Sequence, residues 1–210
     1  MNIEENITRR SDLENNESLS AFMYHCAQQS HFAYQVFYDF MKEVKPSRIL
    51  EIGTCLGGFT QFLNICKKDL NLDTYILTYD IHGRESYPHM IKEGIDVRVE
   101  DIFFENFSGC KQEVIDFINK PGTTIVLCDG GYKVGEFNLF SKHIKEGDYI
   151  LAHDYCTNSE VFEKQVNGKI WNWLEIQESD ISDACAINNL VDYKKEEFNQ
   201  AVWVCKKKVK

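Results

Sequence analysis

Arg48-Ile-Leu-Glu-Ile-Gly53-Thr-Cys-Leu-Gly57-Gly58-Phe-Thr60 is the stretch on which the fold turns. Its opening run, 48–52, is short, apolar at three of five positions and bounded by Pro46 and Gly53, which reads as a buried strand. The glycines then break the period. Gly53 permits a sharp turn, while Gly57 and Gly58 let the backbone approach a ligand and open a helix whose first N–H groups point outward. A purely structural strand-to-helix turn would use the same residues.

Working outward, the same alternation repeats. Helical spacing over 60–70 is followed by strand-like 74–79. Strand-like 96–100 precedes a helical 111–119, strand-like 124–128 precedes a helical 134–144, and 148–152 forms a fifth run. Short strands alternating with helices specify βαβ units and a parallel, doubly wound α/β sheet with right-handed crossovers. The tail departs from this pattern, because 170–176 and 201–205 read as strands with no clear helix between them and predict an antiparallel pair at one sheet edge. Upstream, Leu19, Phe22, Met23, Cys26, Ala33, Val36, Phe37, Phe40 and Met41 recur near helical spacing, which predicts one long helix or two consecutive ones ending before Pro46. Residues 1–17 are polar and read as a mobile arm. With 210 residues, one domain over 18–210 is the expectation, divided into an N-terminal helical cap (18–45), a core (46–155) and a loop with edge strands (156–210).

Composition narrows the partners. Thirty-three acidic against 23 basic residues give a net charge of −10, which disfavours phosphate backbones and anionic membranes. The one dense basic run, Lys206, Lys207, Lys208 and Lys210, reads as a solvated tail. Eight cysteines occur with no C-x-x-C pair, and several lie in apolar runs, which suits a reducing cytoplasm. Neither a secretory leader nor an apolar stretch long enough for a membrane span is read in the sequence. No nucleic acid and no membrane are expected, a small molecule is the expected partner, and a homodimer is compatible with all of this.

In an open α/β sheet, ligands bind outside the carboxyl ends of the strands. Those positions here carry acids: Glu51 within the first strand, then Asp80, Asp101, Asp129 and Asp154. Each alone is explained by a cap or turn. Five in succession are not.

Glu51-x-Gly53-x-x-x-Gly57-Gly58, then Asp80, Asp101 and Asp129, resembles the ordered motifs of class I S-adenosylmethionine-dependent methyltransferases over residues 46–155. The resemblance implies a Rossmann-like, seven-stranded, mostly parallel sheet with an antiparallel edge strand and N-terminal helices. It further implies that Glu51, Gly53, Thr54, Gly57 and Gly58 hold the methionine portion of S-adenosyl-L-methionine, Asp80 the ribose hydroxyls, and Asp101 with Ile102 the adenine, with Asp129 at the join to the acceptor. Asp129 and Asp154 on neighbouring strands look like the metal-binding acids of catechol O-methyltransferase-type enzymes, sugar O-methyltransferases and cephalosporin-hydroxylase-like proteins. Magnesium suits such oxygen ligands. His153 departs from that pattern, and an imidazole suits manganese, iron or zinc better. Either His153 is a third metal ligand or it is the general base, a role for which Lys133 is the other candidate.

The function implied is divalent-metal-assisted O-methylation of a hydroxylated small molecule, a sugar or a phenol, with Asp129, Lys133, His153 and Asp154 carrying the chemistry. The alternatives are a metal-independent methyltransferase on another acceptor and a cofactor-binding module without catalysis. A nicotinamide dehydrogenase is disfavoured, since G-x-G-x-x-G is incomplete. The remaining histidines divide between surface (His82, His89) and N-terminal helix (His25 and His31, beside Tyr24 and Tyr34), where core packing and an aromatic lid are both open. Trp171, Trp173 and Trp203 read as core or as pocket wall.

Overall fold

The computed structural model of the chain describes residues 1–9, 20–23 and 25–210. In chain order its elements are α1 (Ile3–Asn6), β1 (Ile7–Arg9), β2 (Ser20–Phe22), β3 (His25–Ala27), α2 (His31–Val44), β4 (Arg48–Ile52), α3 (Gly58–Asp69), β5 (Tyr75–Asp80) and α4 (Tyr87–Lys92). There follow β6 (Asp96–Val99), α5 (Gln112–Asn119), β7 (Thr124–Cys128), α6 (Lys133–Phe140), β8 (Tyr149–Ala152), β9 (Tyr155–Cys156) and α7 (Ser159–Val161). The last are β10 (Ile176–Gln177), α8 (Glu178–Ile187), β11 (Leu190–Asp192), α9 (Lys195–Gln200) and β12 (Val204–Lys208).

Seven strands form one sheet in the order β11-β12-β8-β7-β4-β5-β6. From β8 to β6 every pairing is parallel, and β12 alone runs against its neighbours β8 and β11. β4 lies at the centre because both of its faces are covered. Ile49 packs with Phe37, Phe59, Phe62 and Trp203 on one side, while Leu50 and Ile52 pack with Phe117, Phe137 and Phe140 on the other. That two-sided burial is why the parallel strands read as continuous apolar runs rather than as alternation. α2 buries Ala33, Tyr34, Phe37, Phe40 and Met41, the stripe expected of an amphipathic helix, and ends where Lys45 takes a left-handed conformation before Pro46.

The expected parallel core is therefore present, and four expectations at its margins are corrected. Residues 20–27 are not helical. They form β2 and β3, which join β1 in a three-stranded antiparallel sheet. Within the expected arm, residues 3–9 carry α1 and β1, while residues 10–17 of that arm, together with Leu19 and Tyr24, lie outside the described residues. In the tail, the antiparallel pair is β11 with β12, not 170–176 with 201–205, and two helices, α8 and α9, accompany it. Residues 170–175 form no strand, Trp171 making only an isolated bridge with Asn167, and Trp171, Trp173 and Glu175 line the cavity. Lys206 is no solvated tail: it is buried in β12, where its ammonium bonds Glu178 (2.8 Å) and Asp192 (2.6 Å).

Candidate active site

The carboxyl ends of β4, β5 and β7 meet through backbone. Gly53 N–H donates to Tyr79 O at 2.8 Å and Asp129 N–H to Ile52 O at 3.0 Å. Gly53 has φ +92°, and a Cβ there would fall 2.1 Å from the Asp129 carbonyl oxygen, so no other residue fits this turn. Gly58, the first residue of α3, has the same constraint from another side, because a Cβ would lie 1.7 Å from Cys26 O on β3. The N-terminal sheet thus sits directly on the helix start.

Cys55, with φ +50°, donates its N–H to Asp80 Oδ2 at 2.8 Å, and His82 N–H donates to Asp80 Oδ1 at 2.8 Å. Asp80 is held with both oxygens oriented and each keeping a lone pair. Asp101 Oδ1 accepts from Phe103 N–H at 3.0 Å, and Ile102 is buried beside it. Glu51, expected at the methionine portion, stands behind the turn as a support. It is buried under the turn, its Oε2 accepts from Thr60 and Thr78 hydroxyls at 2.5 Å each, and burial pushes its pKa up to about 7. Thr54 reaches the same chain through a 2.6 Å hydrogen bond to Thr78.

A cavity of about 500 Å³ runs along these strand ends. Gly53, Thr54, Gly57, Gly58 and Asp80 line one end, with Asp101 and Ile102 beside them; Asp129, Lys133, His153 and Asp154 line the other, and Glu51 does not reach it. The volume falls in the range of small-molecule sites.

At the acid end, side chains hold side chains. Asp129, His153 and Asp154 offer donor atoms that all lie within 4.8 Å of one another. His153 Nδ1 is 3.0 Å from Asp129 Oδ1 and 3.5 Å from Asp154 Oδ1. Its ring stacks on Trp203 (centroids 4.8 Å apart, 26° between planes) and packs against Trp171 at 4.9 Å. Burial lowers its pKa, but the two carboxylates outweigh that, and the net direction is upward. Its Nε2 is buried and has no hydrogen-bond partner among the described residues. Asp154 sits at φ +57° and accepts from Trp171 Nε1 at 2.5 Å; burial would raise its pKa, yet His153 and Lys133 hold it below the usual carboxylate range.

Sequence reasoning missed three residues here. Gln29 Nε2 donates to Asp129 Oδ2 at 2.9 Å, and its own orientation is set by Trp203 Nε1, which donates to Gln29 Oε1 at 2.8 Å. Glu136 accepts from the Gly130 and Tyr132 N–H groups at 3.1 and 3.2 Å and so shapes the loop after Asp129; burial pushes it up to about 7. Glu175 pairs with Lys133 at 2.8 Å. Only Glu175 carried a signal, as an acid next to two tryptophans.

Lys133 is the other candidate for the general base. Its ammonium is bound by Asp154 (2.9 Å), Glu175 (2.8 Å) and Gly130 O (3.0 Å), and although burial favours the neutral amine, Asp129 and Asp154 raise its pKa above the ordinary lysine value. In this arrangement the lysine is a bound cation rather than a poised proton acceptor. The aromatic-lid option is met by different residues. Trp171 and the half-exposed Trp173 line the cavity, Trp203 is core behind His153, and Tyr34 and Phe22 are buried in the N-terminal packing.

The donor set fits a divalent cation. Two carboxylates and one imidazole are more suited to manganese, iron or zinc than to magnesium. The glycine-lined end with an oriented carboxylate fits a nucleoside carrying a charged tail.

The family model described as rhamnosyl O-methyltransferase/CmcI matches residues 22–175. Among solved structures, an apo form of CmcI superposes with a TM-score of 0.56 at 13% identity, covering 85% of this chain and 71% of that one. A Mg–SAM form of CmcI gives 0.54 at 15%, covering 84% and 71%. An O-methyltransferase family protein from Burkholderia thailandensis gives 0.52 at 9%, covering 84% and 56%. At these identities the likeness is one of fold. No curated protein matches by sequence. Among the described residues, no helix is long and apolar enough to cross a membrane.

Proposed function

The chain belongs to the rhamnosyl O-methyltransferase/CmcI family, and on that premise we propose that it transfers a methyl group from S-adenosyl-L-methionine to a hydroxyl oxygen of a sugar or phenolic small molecule, assisted by a divalent cation. The observation that carries this is the single cavity joining a glycine-lined, backbone-built end to the Asp129–His153–Asp154 cluster. The Mg–SAM form of CmcI supports the pairing of cofactor and metal.

When bound, the cofactor supplies a methyl group on a sulfonium, and the metal lowers the pKa of an acceptor hydroxyl. Gly53, Gly57 and Gly58 admit the methionine portion by leaving its path free of side chains, Thr54 beside them turns its hydroxyl to Thr78, Asp80 accepts from the ribose hydroxyls, and Asp101 with Ile102 takes the adenine. Asp129 and Asp154 would hold the metal, magnesium where oxygens alone ligate it and manganese where His153 joins them. His153 is the third ligand or the proton acceptor, and the two roles exclude each other because a neutral imidazole has one lone-pair nitrogen, the other carrying its N–H. Trp171 and Trp173 wall the acceptor side and keep water from the reacting oxygen. Residues 18–210 work as one domain, in the cytoplasm, without nucleic acid; a homodimer is the alternative to a monomer.

The test is thermal melting with S-adenosylhomocysteine, followed by turnover on catechol and sugar acceptors with and without EDTA. We expect the ligand to raise the melting temperature, EDTA to abolish turnover, and Asp154→Asn to lose turnover while retaining the ligand-induced shift. No shift would remove the methyltransferase reading. A shift with turnover unaffected by EDTA would favour a metal-independent enzyme, a reading that Lys133 inside the acid cluster also supports.

A further inference from the structure

The acid cluster contains a cation of its own. Lys133 Nζ has three N–H donors and three acceptors at bonding distance, Asp154 Oδ2 at 2.9 Å, Glu175 Oε2 at 2.8 Å and Gly130 O at 3.0 Å, with Asp129 Oδ1 at 3.8 Å. Its side chain is only 6% exposed. The other oxygens are also engaged: Asp129 Oδ1 by His153, Asp129 Oδ2 by Gln29, and Asp154 Oδ1 by Trp171. Any divalent ion held by Asp129 and Asp154 would therefore stand next to an ammonium that already bonds one of its ligands, and at such separations in a buried site the repulsion is strong.

Charge counting shows how the two cations fit together. Asp129, Asp154 and Glu175 carry three negative charges against one on Lys133, and a divalent ion would neutralise the remaining two. The third carboxylate is placed for that purpose. Glu175 donates its backbone N–H to Asp154 O at 3.0 Å, so it tracks the metal-binding loop, yet its side chain is 45% exposed and reaches the cavity mouth. Lys133 can give up Asp154 and keep Glu175.

We propose that Lys133 is a built-in counter-cation that competes with the divalent metal for Asp154 and Asp129, and that Glu175 is the carboxylate that receives it when metal enters. Lysine and metal then exchange at one corner of the site. The protein remains charge-compensated when metal is scarce, and metal is held more weakly than three acids and an imidazole would hold it. A purely structural lysine, tying the loop through Gly130 O, makes no such prediction. The inference rests on the metal reading given above.

The experiment is Mn²⁺ titration followed by electron paramagnetic resonance of the free ion, on the wild type, Lys133→Met and Glu175→Gln, with melting curves to confirm folding. Lys133→Met should tighten Mn²⁺ binding at least tenfold. Glu175→Gln, which removes the receiving carboxylate, should weaken it about tenfold. Unchanged or weaker binding by Lys133→Met, with measurable binding by the wild type, overturns the proposal. Should Lys133→Met not fold, Glu175→Gln alone decides: equal or tighter binding overturns it. If neither the wild type nor Lys133→Met binds Mn²⁺, the metal reading itself is what fails, and the competition falls with it.

Discussion

The two ends of the cavity are built in opposite ways. At the cofactor end, geometry comes from backbone: Gly53 at φ +92°, Gly57 at +79° and Cys55 at +50° create a turn from residues adjacent in the chain. At the acid end, geometry comes from side chains far apart in sequence, with Gln29, Trp171, Glu175 and Trp203 each bonding or stacking on Asp129, His153, Asp154 or Lys133. A backbone-built site tolerates almost no change at its glycines, and the distant residues it needs, such as Tyr79 and Cys26, contribute chiefly through their own backbone. A side-chain site has the reverse sensitivity, degrading by degrees as each support is removed.

The sharpest way to break that contrast is Gly53→Ala. The Cβ would meet the Asp129 carbonyl at 2.1 Å in a left-handed backbone, and we expect a loss of about 3 kcal/mol or more in stability together with loss of S-adenosylhomocysteine binding, read by melting and calorimetry. Wild-type-like binding would show that the turn is softer than its contacts imply. A smaller effect is expected from Gln29→Leu. It leaves Asp129 Oδ2 and the Trp203 indole N–H without their partner, and we expect about tenfold weaker Mn²⁺ binding with S-adenosylhomocysteine affinity unchanged. Equal losses at both ends would contradict the division drawn here.

The last concerns Glu51 beneath the cofactor turn, where the effect appears only as a dependence on pH. Burial raises its folded pKa to about 7 from an ordinary 4.5, so the folded state holds the proton more tightly than the unfolded chain. Its contribution is present in full below pH 4.5, declines as pH rises through the window from 4.5 to 7, and is absent above. Glu136 behaves alike. Glu51→Gln should flatten the fall of melting temperature between pH 5 and 8, by up to roughly 3 kcal/mol in stability. A slope identical to wild type would mean that Glu51 stays ionised throughout.

This division also explains what could be read from the sequence. The parallel core was legible because each strand and its glycine turn are contiguous, so apolar runs, glycines and the acids Asp80, Asp101, Asp129 and Asp154 announce one another. Residues 20–27 misled because Phe22, Met23 and Cys26 satisfy a helical period, whereas the backbone of Cys26 is required flat against Gly58 and antiparallel pairing provides that. Gln29 was invisible. Nothing about a glutamine between Gln28 and Ser30 tells that its amide lies between an indole and a carboxylate. Lys206 was misread because charge runs are usually solvated, and only the sheet reveals that Glu178 and Asp192 await it.

The contact between Gln29 and Trp203 spans 174 positions. A contact of that separation closes a very long loop and carries the entropic cost of doing so. Trp203 directly precedes β12, which lies between β8 and β11, so the indole that orients Gln29 is placed by the antiparallel edge of the sheet. The hydrogen bond from Gln29 to Asp129 thus depends on the seating of a strand that is remote from both in sequence.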